Sequence, residues 1–300
     1  MKIGIDIGGS HVAVGLIDMY GKIICKSEED INNNLNEKDF EAKLLDIIIK
    51  QIEYVLNKKN TNITKIRLIG IAVPGMVSDT HIVKAGNLHI KNYNIVSEIN
   101  KYYNVPIKLR NDAKCAALAE KNYGSLKKAN DGLFVSLGTG IGGAVFLGGE
   151  LLVPAKYEGF EFGHMVIKKD GLACNCGRRG CFEKYASMKV LRENIAKEVK
   201  NNNLTGEEIR TIIQENKNEK INKIVDEYIE NLSLGLTNLI NIFEPEIISI
   251  GGSFVYYEKE LLGKLKDRIK QEQLFNKENV PKIVLAKLKN DAGMVGSVLE

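Results

Sequence analysis

Residues 3–24 read IGIDIGGSHVAVGLIDMYGKII: a short apolar run, a break at Gly8-Gly9-Ser10, a second run, a turn at Tyr20-Gly21 and a third run. Such punctuation predicts strand, glycine loop, strand, turn, strand. The plan returns at residues 133–152, LFVSLGTGIGGAVFLGGELL, with its break at Gly138 to Gly143 and its turn at Gly148-Gly149. Two copies of one supersecondary unit imply two similar lobes. Their glycine loops can face each other across a cleft and grip opposite ends of one polyanion, because such loops aim several backbone N–H groups at an anion.

The length of 300 residues fits two lobes, since single cores divide into domains of roughly 100 to 150 residues. Around the two glycine segments, helical spacing runs through Phe40, Leu44, Leu45, Ile48, Ile52, Val55 and Leu56. Strands are predicted at residues 66–73, stopped by Pro74-Gly75, and at 106–109, followed by Asn111-Asp112 and a helix. Helices are predicted over 182–200 and 219–243, the second ending before Pro245. A strand at 247–250, the break Gly251-Gly252-Ser253, a helix near 258–271 and a strand at 282–285 complete the alternation, while 201–220 is polar and takes no firm assignment. Alternating strands and helices specify an α/β fold.

With 42 basic and 38 acidic residues the formal net charge is +4, dispersed along the chain, which argues against a nucleic-acid partner. No apolar run approaches the roughly 18 to 20 residues that cross a bilayer, so the expectation is a cytoplasmic protein with no membrane partner. Disulfides are rare in that compartment. Cys25 and Cys115 stand alone in apolar surroundings and read as small buried hydrophobes. Cys174, Cys176 and Cys181 fall within eight residues, and Gly177 and Gly180 let the loop wrap a metal. With His164 they form a closed Cys₃His set suited to structural Zn²⁺, whereas a Cys174–Cys176 disulfide would close a strained ring and leave Cys181 unexplained.

Gly8, Gly9 and Ser10 after a strand read either as a phosphate cradle or as a plain hairpin turn, and it is the second copy at Gly138-Thr139-Gly140 that favours the cradle. Asp6 enters the first loop as a carboxylate beside proposed phosphates, a repulsion that a bridging Mg²⁺ would relieve. Asp112 has two readings. Spacing alone makes it a helix N-cap; if the strand end opens into the cleft, it can take a proton from a substrate hydroxyl attacking a γ-phosphate. Glu161 and Glu183 flank the proposed metal ligands and suit a polyol, though surface exposure is the ordinary fate of glutamate. His11, His81 and His89 read as surface or packing residues.

Asp6-Ile7-Gly8-Gly9-Ser10, Pro74-Gly75, Asn111-Asp112, Gly138 to Gly143, Glu161-Phe162-Gly163-His164, the cysteine cluster with Glu183, Gly251-Gly252 and Asp291-Ala292-Gly293, in this order, resemble the ROK (repressor, open reading frame, kinase) family over essentially the whole chain. The resemblance implies the actin/hexokinase-like fold: two ribonuclease H-like lobes with a cleft between them and a zinc-binding loop at 164–181. Residues 1–112 would form the N-terminal lobe, with 289–300 packing back on it, and 113–288 the C-terminal lobe. It further implies ATP phosphates at Gly8, Gly9, Ser10, Gly138, Thr139 and Gly140, nucleoside contacts near Gly251 and Gly252, and Asp112 as general base. Gly75, Asn87, Asn111, Asp112, Glu161, His164 and Glu183 would contact a hexose, His164 also ligating zinc. Ser10 stands where the family usually has Thr, and Phe160 where a small residue is common.

The function implied is an ATP- and Mg²⁺-dependent hexokinase acting on glucose, with fructose, allose, mannose and N-acetylhexosamines open as acceptors and a homodimer or homotetramer as the assembly. A sugar-sensing repressor of the same family is the rival; it carries a DNA-binding helix-turn-helix ahead of the first glycine loop, for which Asp6 leaves no room.

Overall fold

The computed structural model describes residues 1–9, 11–31, 37–153, 160–215, 217–272 and 280–299, apart from the side chains of Glu37, Lys38 and Asn87. The chain divides into two compact units, one formed chiefly by residues 1–127 and 290–299, the other by 128–152 and 160–289.

In the first unit, β1 (Lys2–Ile7), β2 (His11–Ile17) and β3 (Ile23–Asp30) form an antiparallel meander. After α1 (Glu37–Lys58) come β4 (Ile69–Val73), β5 (Met76–Val77), β6 (Ile82–Ala85), β7 (Ile90–Tyr93), α2 (Ile95–Asn100), β8 (Ile107–Asn111) and α3 (Asp112–Tyr123). The main sheet has the order β3-β2-β1-β4-β8, with β4 parallel to both β1 and β8. Its two faces differ because side chains alternate along a strand. Ile3, Ile5 and Ile7 enter a core with Phe40, Leu44, Ile48 and Ile52 of α1, which accounts for the spacing in that helix. Gly4 and Gly15 share the opposite face with Gly70, beneath the C-terminal helix α9 (Ala292–Ser297): a Cβ on Gly4 would lie 2.3 Å from the Met294 carbonyl oxygen, and one on Gly70 2.2 Å from that of Ser297. The glycines thus admit a helix directly onto the strand backbones. The small antiparallel sheet β5-β6-β7 lies in a stretch where the sequence predicts no strand.

The second unit repeats the plan. β9 (Gly132–Leu137), β10 (Ile141–Leu147) and β11 (Glu150–Leu151) form the meander, followed by α4 (Glu183–Ala186), α5 (Met188–Glu198), α6 (Gly206–Glu215), α7 (Glu219–Phe243), β12 (Ile247–Gly251), α8 (Gly263–Glu272) and β13 (Lys282–Leu285). The sheet order is β11-β10-β9-β12-β13, with β12 parallel to β9 and β13. Position by position this matches the first sheet: a three-strand meander, then two parallel strands. Each unit is therefore one ribonuclease H-like lobe. The helix predicted over 182–200 is two helices, because Ser187 breaks α4 and caps α5 by accepting from the Val190 N–H. The polar stretch 201–220 contains α6, which buries Ile209 and Ile213. Among the described residues no helix is long and apolar enough to cross a membrane.

Candidate functional site

In the first unit the candidate residues collect at the C-terminal ends of the parallel strands, where open α/β sheets place their ligands. Asp6 lies near the end of β1, Gly75 follows β4, Asn111 ends β8 and Asp112 begins α3. Gly75 has φ +95°, and a Cβ there would lie 2.3 Å from the Lys84 carbonyl oxygen, so the Pro74-Gly75 turn tolerates no side chain. Asn111 does two jobs: its Nδ2 donates to the Gly75 carbonyl at 3.0 Å, and its Oδ1 accepts from the Ala113 and Lys114 N–H groups at 3.0 and 3.3 Å. Asn111, not Asp112, therefore caps α3, and the capping explanation of Asp112 falls away. Asp112 is the first helical residue and accepts from the Ala113 N–H at 2.8 Å.

Asp6 is the electrostatic outlier of this set. Burial pushes its carboxyl up to about 7, the negative charge of Asp112 adds to the rise, and Glu28 and Asp291 raise it further against the pull of Lys26. Lys26 Nζ is 3.0 Å from Asp291 Oδ1 and 3.2 Å from Glu28 Oε2. Gly293 gives the Asp6 carboxylate room, since a Cβ there would come within 2.4 Å of Oδ2. In the hairpin, the Gly8 N–H donates to the His11 carbonyl at 2.8 Å, and the His11 ring lies against Gly8. Ser10 lies outside the described residues, as does the side chain of Asn87.

In the second unit the loop at Gly138-Thr139-Gly140 is closed by a bond from the Gly138 N–H to the Gly140 carbonyl at 3.1 Å. The Gly138 carbonyl in turn accepts from the Lys189 N–H of α5 at 3.1 Å. Gly252 has φ +69°, and a Cβ there would lie 2.4 Å from the Leu137 carbonyl oxygen, so the bend after β12 packs on the strand leading into the loop. A cavity of about 500 Å³ opens on Gly138 and Thr139 and takes in Ser253. Lys189, Arg192 and Asn202 are among its polar lining, and Ala196, Leu204 and Ile209 its apolar one. Sequence reading missed these residues, which are scattered over α5, α6 and the chain between them. A hollow of about 650 Å³ between α7 and α8 is lined by charged groups such as Asp226 and Lys264, themselves an ion pair at 2.6 Å. It touches neither glycine loop.

The four expected metal ligands meet. His164, Cys174, Cys176 and Cys181 each offer one atom, and these atoms lie within 4.8 Å of one another. Cys176 Sγ is 3.5 Å from Cys181 Sγ, and Cys174 Sγ is 3.7 Å from His164 Nδ1. These separations are near those of ligands at about 2.0 to 2.3 Å around tetrahedral zinc. The knuckle is held by the Cys174 N–H to Arg178 carbonyl bond at 2.9 Å and by Gly180, which has φ +79° and where a Cβ would strike the Lys168 carbonyl oxygen at 1.7 Å. Burial pushes the Cys174 thiol up to about 12 and raises Cys181, while the Arg178 backbone N–H draws exposed Cys176 down to about 6. Two buried thiols that resist ionising alone suit a site in which a cation supplies the missing charge. The donor set thus fits zinc.

Glu183 joins this cluster to the glycine loop. Its Oε1 lies 3.2 Å from Cys174 Sγ and 3.7 Å from His164 Nδ1, while its Oε2 would be 2.9 Å from a Cβ on Gly140. Glu161 and His164 bracket a short 3₁₀ turn at Phe162–His164, whose Phe162 ring fills the space over Gly143.

The profile of the ROK family matches residues 2–299. The xylose repressor of Caldicellulosiruptor bescii is 31% identical to the chain over 99% of its length and 76% of the repressor. The glucokinase of Thermotoga maritima is 27% identical over 98% of the chain and 95% of the glucokinase. The crystal structure of a ROK family glucokinase from Streptomyces griseus in complex with glucose and AMPPNP superposes with a TM-score of 0.81 over 99% of this chain and 97% of that one, at 23% identity, and shares its fold. Kinases and repressors therefore both stand among the relatives.

Proposed function

The chain belongs to the ROK family, and on that premise we propose that it is an ATP- and Mg²⁺-dependent sugar kinase, transferring the γ-phosphoryl group to a hexose hydroxyl, with O6 of glucose the acceptor. The observation that carries the reading is the cavity of about 500 Å³ opening on Gly138 and Thr139. Its apolar lining suits a nucleobase and Arg192 suits phosphates, with Lys189 shared between them and Glu193 at 3.7 Å, where a protein that only senses sugar has no use for a nucleotide-sized pocket.

In the proposed reaction Asp112 accepts the proton of the sugar hydroxyl as that oxygen bonds to the γ-phosphorus, and the bond from phosphorus to the β–γ bridging oxygen breaks to release ADP. Gly9, Thr139 and Gly140 bind phosphate oxygens through backbone N–H groups, while Gly8 and Gly138, whose N–H groups close the two hairpins, shape the loops around them. Gly75, Asn111, Glu161, His164 and Glu183 orient the sugar, and Gly251 and Gly252 shape the nucleoside end. Asp6 would hold Mg²⁺, which would supply positive charge against the phosphates; the burial and the neighbouring Asp112, Glu28 and Asp291 charges that raise its carboxyl are what such a cation would offset. The zinc ligands have an architectural role, fixing His164 and Glu183. We place the protein in the cytoplasm.

A second reading, a sugar-responsive regulator, is favoured by the 31% identity to a xylose repressor. Incubation with ATP, Mg²⁺ and a panel of hexoses and D-xylose, following ADP release and sugar binding separately, tests both. Sugar-dependent ADP release supports the kinase; sugar binding without it supports the regulator.

A further inference from the structure

Glu161 occupies an unusual piece of backbone. Its φ of −74° and ψ of 69° are those of an inverse γ-turn, and the Phe162 N–H closes that turn on the Phe160 carbonyl at 2.8 Å. Phe160 itself has φ +56°, in the left-handed region that a bulky side chain seldom enters. Such a conformation persists only where its surroundings impose it. Here they do: the Phe160 ring packs edge-on against Phe243 at the end of α7, centroids 6.3 Å apart, and against Phe162 at 6.4 Å. Phe162 is buried at 3% exposure and sits over Gly143 of β10. Both shoulders of the Glu161 turn are thus pinned by aromatic rings, one to a helix and one to the glycine-loop hairpin.

We propose that Phe160 is a positioning residue, which by anchoring its ring on Phe243 holds Glu161 in the γ-turn and so sets the affinity for sugar. The inference rests on the reading above in which Glu161 contacts the sugar. A carboxylate accepting hydrogen bonds from hydroxyls gains from being fixed in advance, because a side chain that must be ordered on binding takes that cost out of the affinity.

The test is calorimetric binding of D-glucose and D-xylose to the native protein and to Phe160→Ala, Phe160→Gly, Phe160→Tyr and Glu161→Gln, with urea unfolding and zinc content measured on each. The Ala and Gly variants are expected to bind roughly 10- to 100-fold more weakly, as when a hydrogen bond to a charged group is lost, and Tyr, which keeps the ring, to bind as the native protein does. Glycine relieves the positive φ, so Phe160→Gly unfolds at higher urea than Phe160→Ala while binding no more tightly. A purely structural role makes affinity follow stability, and recovery of binding in Phe160→Gly overturns the proposal. So does native affinity in both small variants alongside a loss in Glu161→Gln. If the native protein binds neither sugar, or Glu161→Gln binds normally, the sugar-site reading fails and takes the proposal with it.

Discussion

The Asp6 carboxyl makes the stability of the first unit depend on pH in a direction opposite to that of most carboxylates. Its folded value of about 7 compares with about 3.9 in an unfolded chain. Between those values the folded protein holds a proton that the unfolded chain has released, so stability falls as pH rises through the window and levels off above pH 7. Each pH unit is worth about 1.4 kcal/mol. From pH 5 to pH 7 the native protein should therefore lose about 2 kcal/mol relative to Asp6→Asn, whose amide matches the neutral acid in shape and cannot ionise. Asp6 keeps some contact with water, which makes that an upper figure. Urea unfolding of both proteins in magnesium-free buffer at half-unit steps from pH 5 to 8.5 measures the divergence. Asp112→Asn removes the second cause of the shift and should shrink it. Parallel curves for native protein and Asp6→Asn across the range would show that this carboxyl ionises like a surface one, and the argument for a cation beside it would fail.

Asp112→Asn should lower turnover by roughly 10²- to 10⁴-fold and change sugar affinity little; a variant with near-native ADP release removes Asp112 from the base role. Cys176→Ser should release metal and weaken both stability and sugar binding, and the absence of zinc by metal analysis in native protein purified without chelators would defeat the Cys₃His site. Gly70→Ala places a Cβ 2.2 Å from the Ser297 carbonyl oxygen, a backbone clash expected to destabilise by about 1–3 kcal/mol. An unchanged melting temperature would mean that α9 does not bear on the sheet as described.

What could be read from the sequence was local. The hairpins around Gly8 and Gly138 and the knuckle from Cys174 to Cys181 announce themselves because glycine breaks and thiol spacing act within a few residues. Strands β5 and β7 span Met76–Val77 and Ile90–Tyr93, too short for alternation to register. Helix α6 buries only Ile209 and Ile213, so its polar remainder conceals it. The cap at α3 went to Asn111 because the Gly75 carbonyl, supplied by a distant turn, holds the amide in place. The cavity lining was illegible for the same reason: Lys189, Arg192 and Asn202 look like solvated residues until the fold sets them beside Gly138.

The bare strip of Gly4, Gly15 and Gly70 under α9 fixes an order of events during synthesis. The strands that carry it leave the ribosome before the second unit, and the helix that covers it follows that entire unit. At roughly 5 to 20 residues per second, the nascent first unit waits on the order of ten to thirty seconds with exposed strand backbone along one side. The first unit thus cannot close before the second has been made, and a chaperone that shields an exposed sheet face has its natural moment of action there.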